Sequence, residues 1–179
     1  TGNVRDKIDG IRVTCVDNGM PVVLLRATDL GKTGYETPQE LEDDAELKAR
    51  VESIRLQAGE RMRLGDVKYK TTPKMSLIAP PRAGGTVSTR TFIPHRVHQS
   101  IGVLGAASVA AACRIPGTVA DGVSTANGDG ILRVEHPTGE FAVDIEIAER
   151  LGRYIVKRSA LLRTARKLMD GTVFVPEGN

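Results

Sequence analysis

The residues best suited to chemistry lie between Arg90 and Cys113, RTFIPHRVHQSIGVLGAASVAAAC, where Arg90, His95, Arg96 and His98 precede an uncharged stretch, Gln99–Cys113. A helix that is apolar on every side has no solvent face and must be buried. If the stretch is such a helix, over about 98–113, its free N–H groups and positive dipole end open beside two histidines and two arginines. That combination suits a small anion, a carboxylate or a phosphate. Other chemistries fit less well. Gly31-Lys32-Thr33 ends like a phosphate-binding P-loop, but that motif needs a glycine where this chain has Arg26. His95 and His98 can share a helical face, yet no carboxylate stands nearby in sequence to complete a metal site. Ser100 has no local Asp or Glu to orient His98 as its base.

The charge pattern supports the anion reading. The 179 residues carry a net charge of only +3, but Val67–Ala120, 54 residues long, contains no Asp or Glu while Lys68, Lys70, Lys74, Arg82, Arg90, Arg96 and Arg114 fall within it. A field of one sign around a cleft concentrates the oppositely charged ligand. The sequence pI near 9.0 is by itself nonspecific. With no Trp, three Phe and three Tyr, the chain offers few platforms for stacking bases. Two cysteines, Cys15 and Cys113, far apart and without CxxC spacing, signal neither a disulfide framework nor zinc, so a reducing cytosol is expected. No apolar run approaches the roughly 20 residues that span a bilayer. The first residue is Thr rather than Met, and a strand-like segment begins within ten residues, which reads as a piece of a longer protein.

The elements that must position these residues follow from periodicity. Ile11, Val13 and Cys15 alternate with more polar neighbours, Asp17-Asn18-Gly19 turns, and Val22–Leu25 is a second strand. Thr37, Pro38 and Glu40 form a capping box with proline at the first helical position. A longer helix from Asp43 or Asp44 places Leu47, Val51, Ile54, Ala58 and Met62 on one face and stops at Gly65, so the two helices cover one side of a sheet. Lys74–Ala79 and Thr86–Ile93 read as strands around a loop at 80–85, and 124–130 as a turn-rich loop. Ile131–His136 and Phe141–Glu149 make a hairpin. Arg153–Lys157 and Thr172–Val175 read as strands, while Leu161–Met169 favours helix by composition and sheet by its flanks.

The strings DNGMPVVLLRATDLGKTGYETPQEL, PKMSLIAPP and STRTFIPHRVHQSIGVLGAASVA resemble the 4-oxalomesaconate tautomerases, relatives of the 2-methylaconitate isomerases with the diaminopimelate epimerase type of fold. The resemblance implies an α+β fold, mostly antiparallel strands wrapped around one buried central helix, with a two-helix cover over about 36–65. It implies one domain over 1–179 that is the C-terminal half of a two-domain enzyme. The activity implied is a metal-free, cofactor-free proton-transfer tautomerisation or allylic isomerisation of 4-oxalomesaconate in gallate or protocatechuate degradation. The substrate, a tricarboxylate keto acid, would lie between the two domains. The lysine and cysteine that move the proton in such enzymes belong to the absent N-terminal domain, so no catalytic residue is expected in this chain.

What carries over is the binding half. Asn18, Gly19, Met20 and Pro21 match the strand-connecting loop at the cleft and Lys74 the start of the following strand. Arg90, His95, Arg96, His98, Ser100 and Gly102 match the helix entrance. One departure is informative: diaminopimelate epimerases carry a second catalytic Cys at this helix N-terminus, where the dipole lowers a thiol pKa. Here the residues are Ser100, Ile101 and Gly102, and Cys113 lies roughly 20 Å further along at 1.5 Å per residue. The expected partners are the tricarboxylate and the N-terminal domain, with no nucleic acid and no membrane; homo-oligomerisation stays open, and the location implied is the cytoplasm. A 2-methylaconitate cis-trans isomerase or another tricarboxylate isomerase is the alternative within the class. A basic anion- or nucleic-acid-binding module is the alternative outside it, and its binding would weaken steeply with salt.

Overall fold

A computed structural model describes residues 1–126 and 130–175. Nine strands form one sheet among these residues: β1 (Asp6–Ile8), β2 (Ile11–Asp17), β3 (Pro21–Arg26), β4 (Lys74–Ala79), β5 (Val87–Ile93), β6 (Arg96–Val97), β7 (Ile131–His136), β8 (Gly139–Arg150) and β9 (Arg153–Leu161). The order is β1-β2-β3-β4-β5-β7-β8-β9, with β6 on β5. β3 with β4 and β5 with β7 are parallel, and the remaining pairs are antiparallel. Three α-helices complete it: α1 (Pro38–Asp43), α2 (Ala45–Arg61) and α3 (Val103–Arg114). This is the expected α+β fold. The sheet curls until β2, β3, β7, β8 and β9 all contact α3.

Side-chain alternation divides the interior into two cores. Val23, Leu25, Met75, Leu77 and Phe92 pack under α1 and α2 with Leu41, Leu47, Val51, Ile54 and Ala58. Val22, Leu24, Ile78, Val87, Leu132, Val134 and Val143 pack around Ala106, Val109, Ala110 and Ala111 of α3. A strand buried on both faces reads as an unbroken apolar run, which is why Val22–Leu25 shows no alternation. Helix α3 consists mostly of small residues and is buried from Gly105 to Ala112, so its backbone can be approached closely all round. The capping box is present, with Thr37 accepting from the Glu40 N–H and Glu40 from the Thr37 N–H.

Two expectations are corrected. Residues 172–175 form no strand and are exposed, Phe174 to 90%. Their β-branched and aromatic composition has no partner strand within the described residues, and propensity without a partner does not make a sheet. Residues 162–169 likewise take no regular structure; only Leu161 belongs to a strand, the end of β9. Residues 127–129, the centre of the loop expected over 124–130, lie outside the described residues, as do 176–179.

The α2 cover is held by close packing and by a buried arginine. Arg55, with no exposed surface, forms a two-point pair with Glu52 (2.6 and 2.8 Å) and donates to the carbonyls of Val67 (3.0 Å) and Thr72 (2.9 Å), which pins the 67–72 loop against the helix. Gly59 faces the same loop. A Cβ added there would lie 2.4 Å from Val67 Cγ2 and 2.9 Å from Val67 Cγ1, and Val67 is itself buried. Gly59→Ala is therefore expected to destabilise the chain by about 2 kcal/mol, overpacking outweighing the helix-propensity gain of about 1 kcal/mol. A lower urea midpoint at unchanged slope would show it; an unchanged or higher midpoint would mean the loop can move away.

Candidate active-site cleft

Alternation along β4 and β5 places the polar residues of the cleft. Met75 and Leu77 face the helical cover, so Lys74 and Ser76 face α3. Phe92 faces the cover, so Thr91 and Ile93 face α3 as well. Ser76 and Thr91 are register partners, and their hydroxyls are hydrogen-bonded at 2.8 Å. Beyond them β6 pairs with the end of β5, Phe92 with Val97 and Ile93 with Arg96, and the His98 N–H donates to the Thr91 carbonyl (2.8 Å).

The chain up to His98 is thus held in the sheet. Helix α3 consequently starts at Val103 and not near residue 98, a correction to the expected boundary. The uncharged run resembled one helix because nothing in its composition marks the two-residue strand that precedes it.

The cleft, about 320 Å³, opens where the N-terminus of α3 meets β4 and β5. Lys74, Ser76, Thr91 and His98 supply its polar groups; Met20, Ile93, Ile101, Val103 and Leu104 supply apolar walls. Gly102, the N-cap residue, offers no side-chain cap, and the first turn of α3 contains no acid. The N–H groups at the start of a helix have no acceptor within it. The Ala106 N–H is the first to be taken, by the Gly102 carbonyl (2.8 Å), so those of Val103, Leu104 and Gly105 remain at the cleft wall.

Electrostatics here favour an incoming anion. Among the described residues no carboxylate pairs with Lys74. Burial lowers the Lys74 pKa from its ordinary value, and the Arg55 charge adds to that. His98 is lowered by burial first and by the Lys74 charge second. The Ser100 N–H donates to His98 Nδ1 (3.0 Å), so that nitrogen carries no proton and the neutral ring bears its N–H at Nε2. A bound carboxylate would raise both pKa values again, because an opposite charge at close range favours the charged form.

Of the expected site residues, the structure brings Met20, Lys74, His98 and Gly102 together at this cleft. The Asn18–Pro21 turn lies beside it. Asn18 takes a structural position, its N–H donating to Ser108 Oγ (3.1 Å) and its Nδ2 to the Ala107 carbonyl (3.3 Å), while Ser108 Oγ donates to the Met20 carbonyl (2.7 Å). Gly19, at φ +90°, packs beneath Leu104, and Pro21 begins β3 opposite Asp17. These contacts clamp the turn to α3.

The remaining expected residues point elsewhere. Arg90 alternates with Thr91 and so lies on the opposite face, its Nε donating to the Glu36 carbonyl (2.5 Å) and Nη1 to the Thr89 carbonyl (2.9 Å). His95 and Arg96 are exposed at the β5–β6 turn. Ser100 meets His136, Oγ to Nδ1 at 3.1 Å, and reaches the cleft only through its backbone N–H on His98. Sequence reasoning missed Ser76 and Thr91, although the strand period that places Lys74 inward places them inward too.

The acid-free window is supplied with acids from outside. Glu135 accepts from the N–H groups of Arg82 (2.8 Å), Ala83 (2.7 Å) and Gly85 (2.8 Å), holding the 80–85 loop, and Glu42 accepts from the Val97 N–H (2.7 Å). None of these carboxylates lines the cleft. Among the described residues no group of three His, Cys, Asp or Glu is placed to hold a metal ion. No helix among them is long and apolar enough to cross a membrane.

Neither thiol is prepared for chemistry. Burial pushes Cys113 up to about 12, and burial with the Asp6 charge pushes Cys15 up to about 11. Cys113 is at the far end of α3, about 15 Å from its first turn at 1.5 Å per residue. In the folded chain at pH 8 both should resist a thiol reagent that labels the unfolded chain within minutes, and Cys113→Ala should alter stability without altering ligand binding. Rapid labelling of native Cys113, or lost binding in a folded Cys113→Ala variant, would contradict this placement.

The chain is 58% identical over 177 residues to 4-oxalomesaconate tautomerase of Pseudomonas putida, covering 98% of this chain and 48% of that protein. It is 54% identical over 177 residues to (4E)-oxalomesaconate Delta-isomerase of Novosphingobium sp., covering 98% and 49%. The crystal structure of methylitaconate-delta-isomerase superposes with a TM-score of 0.75 at 23% identity, over 90% of this chain and 49% of that one, which establishes a shared fold. The chain therefore spans about half the length of the curated relatives it matches. The PrpF protein family model covers residues 1–176, the whole of the sheet, the helical cover and the cleft, and the chain belongs to that family.

Proposed function

We propose that this chain is the substrate-binding half of an isomerase that tautomerises 4-oxalomesaconate by proton transfer, working without a cofactor in the cytoplasm. The observation that carries the reading is the uncapped N-terminus of α3 facing Lys74 and the Nε2–H of His98 in a cleft lined by no carboxylate. Such a wall gives donors and positive charge to a carboxylate and holds no group that would repel it. The 58% and 54% identities to proteins named for oxalomesaconate support that substrate over other tricarboxylates.

In this reading Lys74 and the α3 N–H groups hold a carboxylate, His98 donates a neutral hydrogen bond, and Met20, Ile93 and Leu104 exclude water from the carbon skeleton. The proton donor and acceptor come from a second half, the C-terminal position of this chain and its pairing with that half being part of the proposal. Val103 and Leu104, 41% and 47% exposed at the mouth of the cleft, and the apolar 168–175 segment are surfaces for it to cover. A base and an acid must stand within hydrogen-bond reach of the reacting carbon. The full-length protein containing this chain should therefore interconvert 4-oxalomesaconate tautomers, followed by ultraviolet absorbance, and the chain alone should not. Turnover by the chain alone, free of full-length contaminant, would move the proton carriers to Lys74 and His98.

A further inference from the structure

Ser76 and Thr91 are 1% and 3% exposed, sit on the floor of the cleft, and bond to one another through their hydroxyls at 2.8 Å. Each hydroxyl has one proton to donate. One proton is consumed by the mutual bond, so the pair retains a second, and among the described residues neither hydroxyl oxygen has another hydrogen-bond partner. A buried O–H without an acceptor is costly to leave unmet. Its neighbours in the cleft, Lys74 and the Nε2–H of His98, are donors too and cannot receive it. The lining thus has an excess of donors that a carboxylate or enolate oxygen, an acceptor with several lone pairs, would satisfy.

We propose that the Ser76–Thr91 hydroxyl pair is a substrate-binding element, one hydroxyl donating its free proton to a ligand carboxylate oxygen and the other orienting it. The inference rests on the anion reading of the cleft and adds to it a neutral donor on the floor. The two hydroxyls are unequal. Losing the outer one removes the bond to the ligand, whereas losing the inner one leaves the outer O–H in place but no longer fixed in direction.

The test is a nuclear magnetic resonance titration of the chain with trans-aconitate, an unsaturated tricarboxylate, in wild type and in Ser76→Ala, Thr91→Val, Thr91→Ser and the Ser76→Ala/Thr91→Val pair. Amide spectra of the free proteins establish that each is folded. Wild type should bind, with shifts centred on residues 102–105. The double variant should bind about tenfold or more weakly, the size of one hydrogen bond to a charged group. One single variant should lose as much as the double, the other less, and Thr91→Ser should bind like wild type. Binding unchanged in the folded double variant would overturn the role of the hydroxyl pair while leaving the anion reading intact. Absence of binding to wild type would overturn both. Should Thr91→Val unfold, Ser76→Ala and Thr91→Ser still decide: a wild-type affinity in Ser76→Ala together with a tenfold loss in Thr91→Ser would refute the shared-proton arrangement.

Discussion

Gly102→Asp is expected to abolish carboxylate binding while leaving the chain as stable as before or slightly more so. Gly102 has φ −67° and ψ 145°, ordinary N-cap geometry for any residue, and a Cβ there would meet nothing within 4 Å. An Asp carboxylate at that position would accept from the N–H groups of the first turn and would complement the helix dipole by about 0.3–1 kcal/mol. The same carboxylate would occupy the place proposed for the ligand's and repel it. At about 4 Å and an effective dielectric of about 20, two like charges cost about 4 kcal/mol, which corresponds to a loss of affinity of at least about a hundredfold. Gly102→Asn caps equally without the charge and should fall between Asp and wild type. Thermal melts and trans-aconitate titrations of the three proteins check this; a Gly102→Asp variant that still binds would remove the α3 N-terminus from the site.

Lys74→Met is expected to weaken the same binding by about ten- to a hundredfold, the size of a charged hydrogen bond. It should also raise the pKa of His98 in the absence of any ligand. Burial is the larger cause of the His98 depression and Lys74 the smaller, so the variant's pKa should rise and still remain below the ordinary 6.5. The sign for stability follows from linkage. Because the folded-state pKa is depressed, the unfolded chain takes up this proton first as pH falls below about 6.5, and His98 costs stability from there down to its folded pKa. His136, depressed by burial and then by the charges of His98 and Arg90, adds to the same loss. Proton titration of the ring resonances in wild type and Lys74→Met measures the shift, and an unchanged His98 pKa would mean the two groups do not face one another.

Much of the fold was legible because its signals are local. The capping box at Thr37, the apolar face of α2 and the 131–149 hairpin each depend on residues a few positions apart. The α3 boundary was not, since Arg96 and Val97 become a strand only by pairing with Ile93 and Phe92, a tertiary event that a two-residue segment does not announce. Residues 172–175 show the converse, strand-forming residues without a strand beside them.

The site was legible in part for the same reason. Lys74 and Gly102 are placed by element ends, and the expectation for both rested on a helix N-terminus beside a strand start. Arg90 was misplaced although the strand period settles it: in β5, Thr91 and Arg90 must face opposite sides, and Phe92 fixes which. Glu135 and Glu42, which reach the acid-free window from distant segments, had no local signal at all.

The measurement that bears most directly on the cleft is a crystal structure of the chain with trans-aconitate. A carboxylate should lie within hydrogen-bond reach of the Val103–Gly105 N–H groups and of Lys74 Nζ, with a second contact to the Ser76–Thr91 pair. Ligand bound instead at the Arg82 and Arg90 side of β5, or a cleft left empty while ligand is ordered elsewhere on the chain, would contradict the assignment of this cleft as the substrate site.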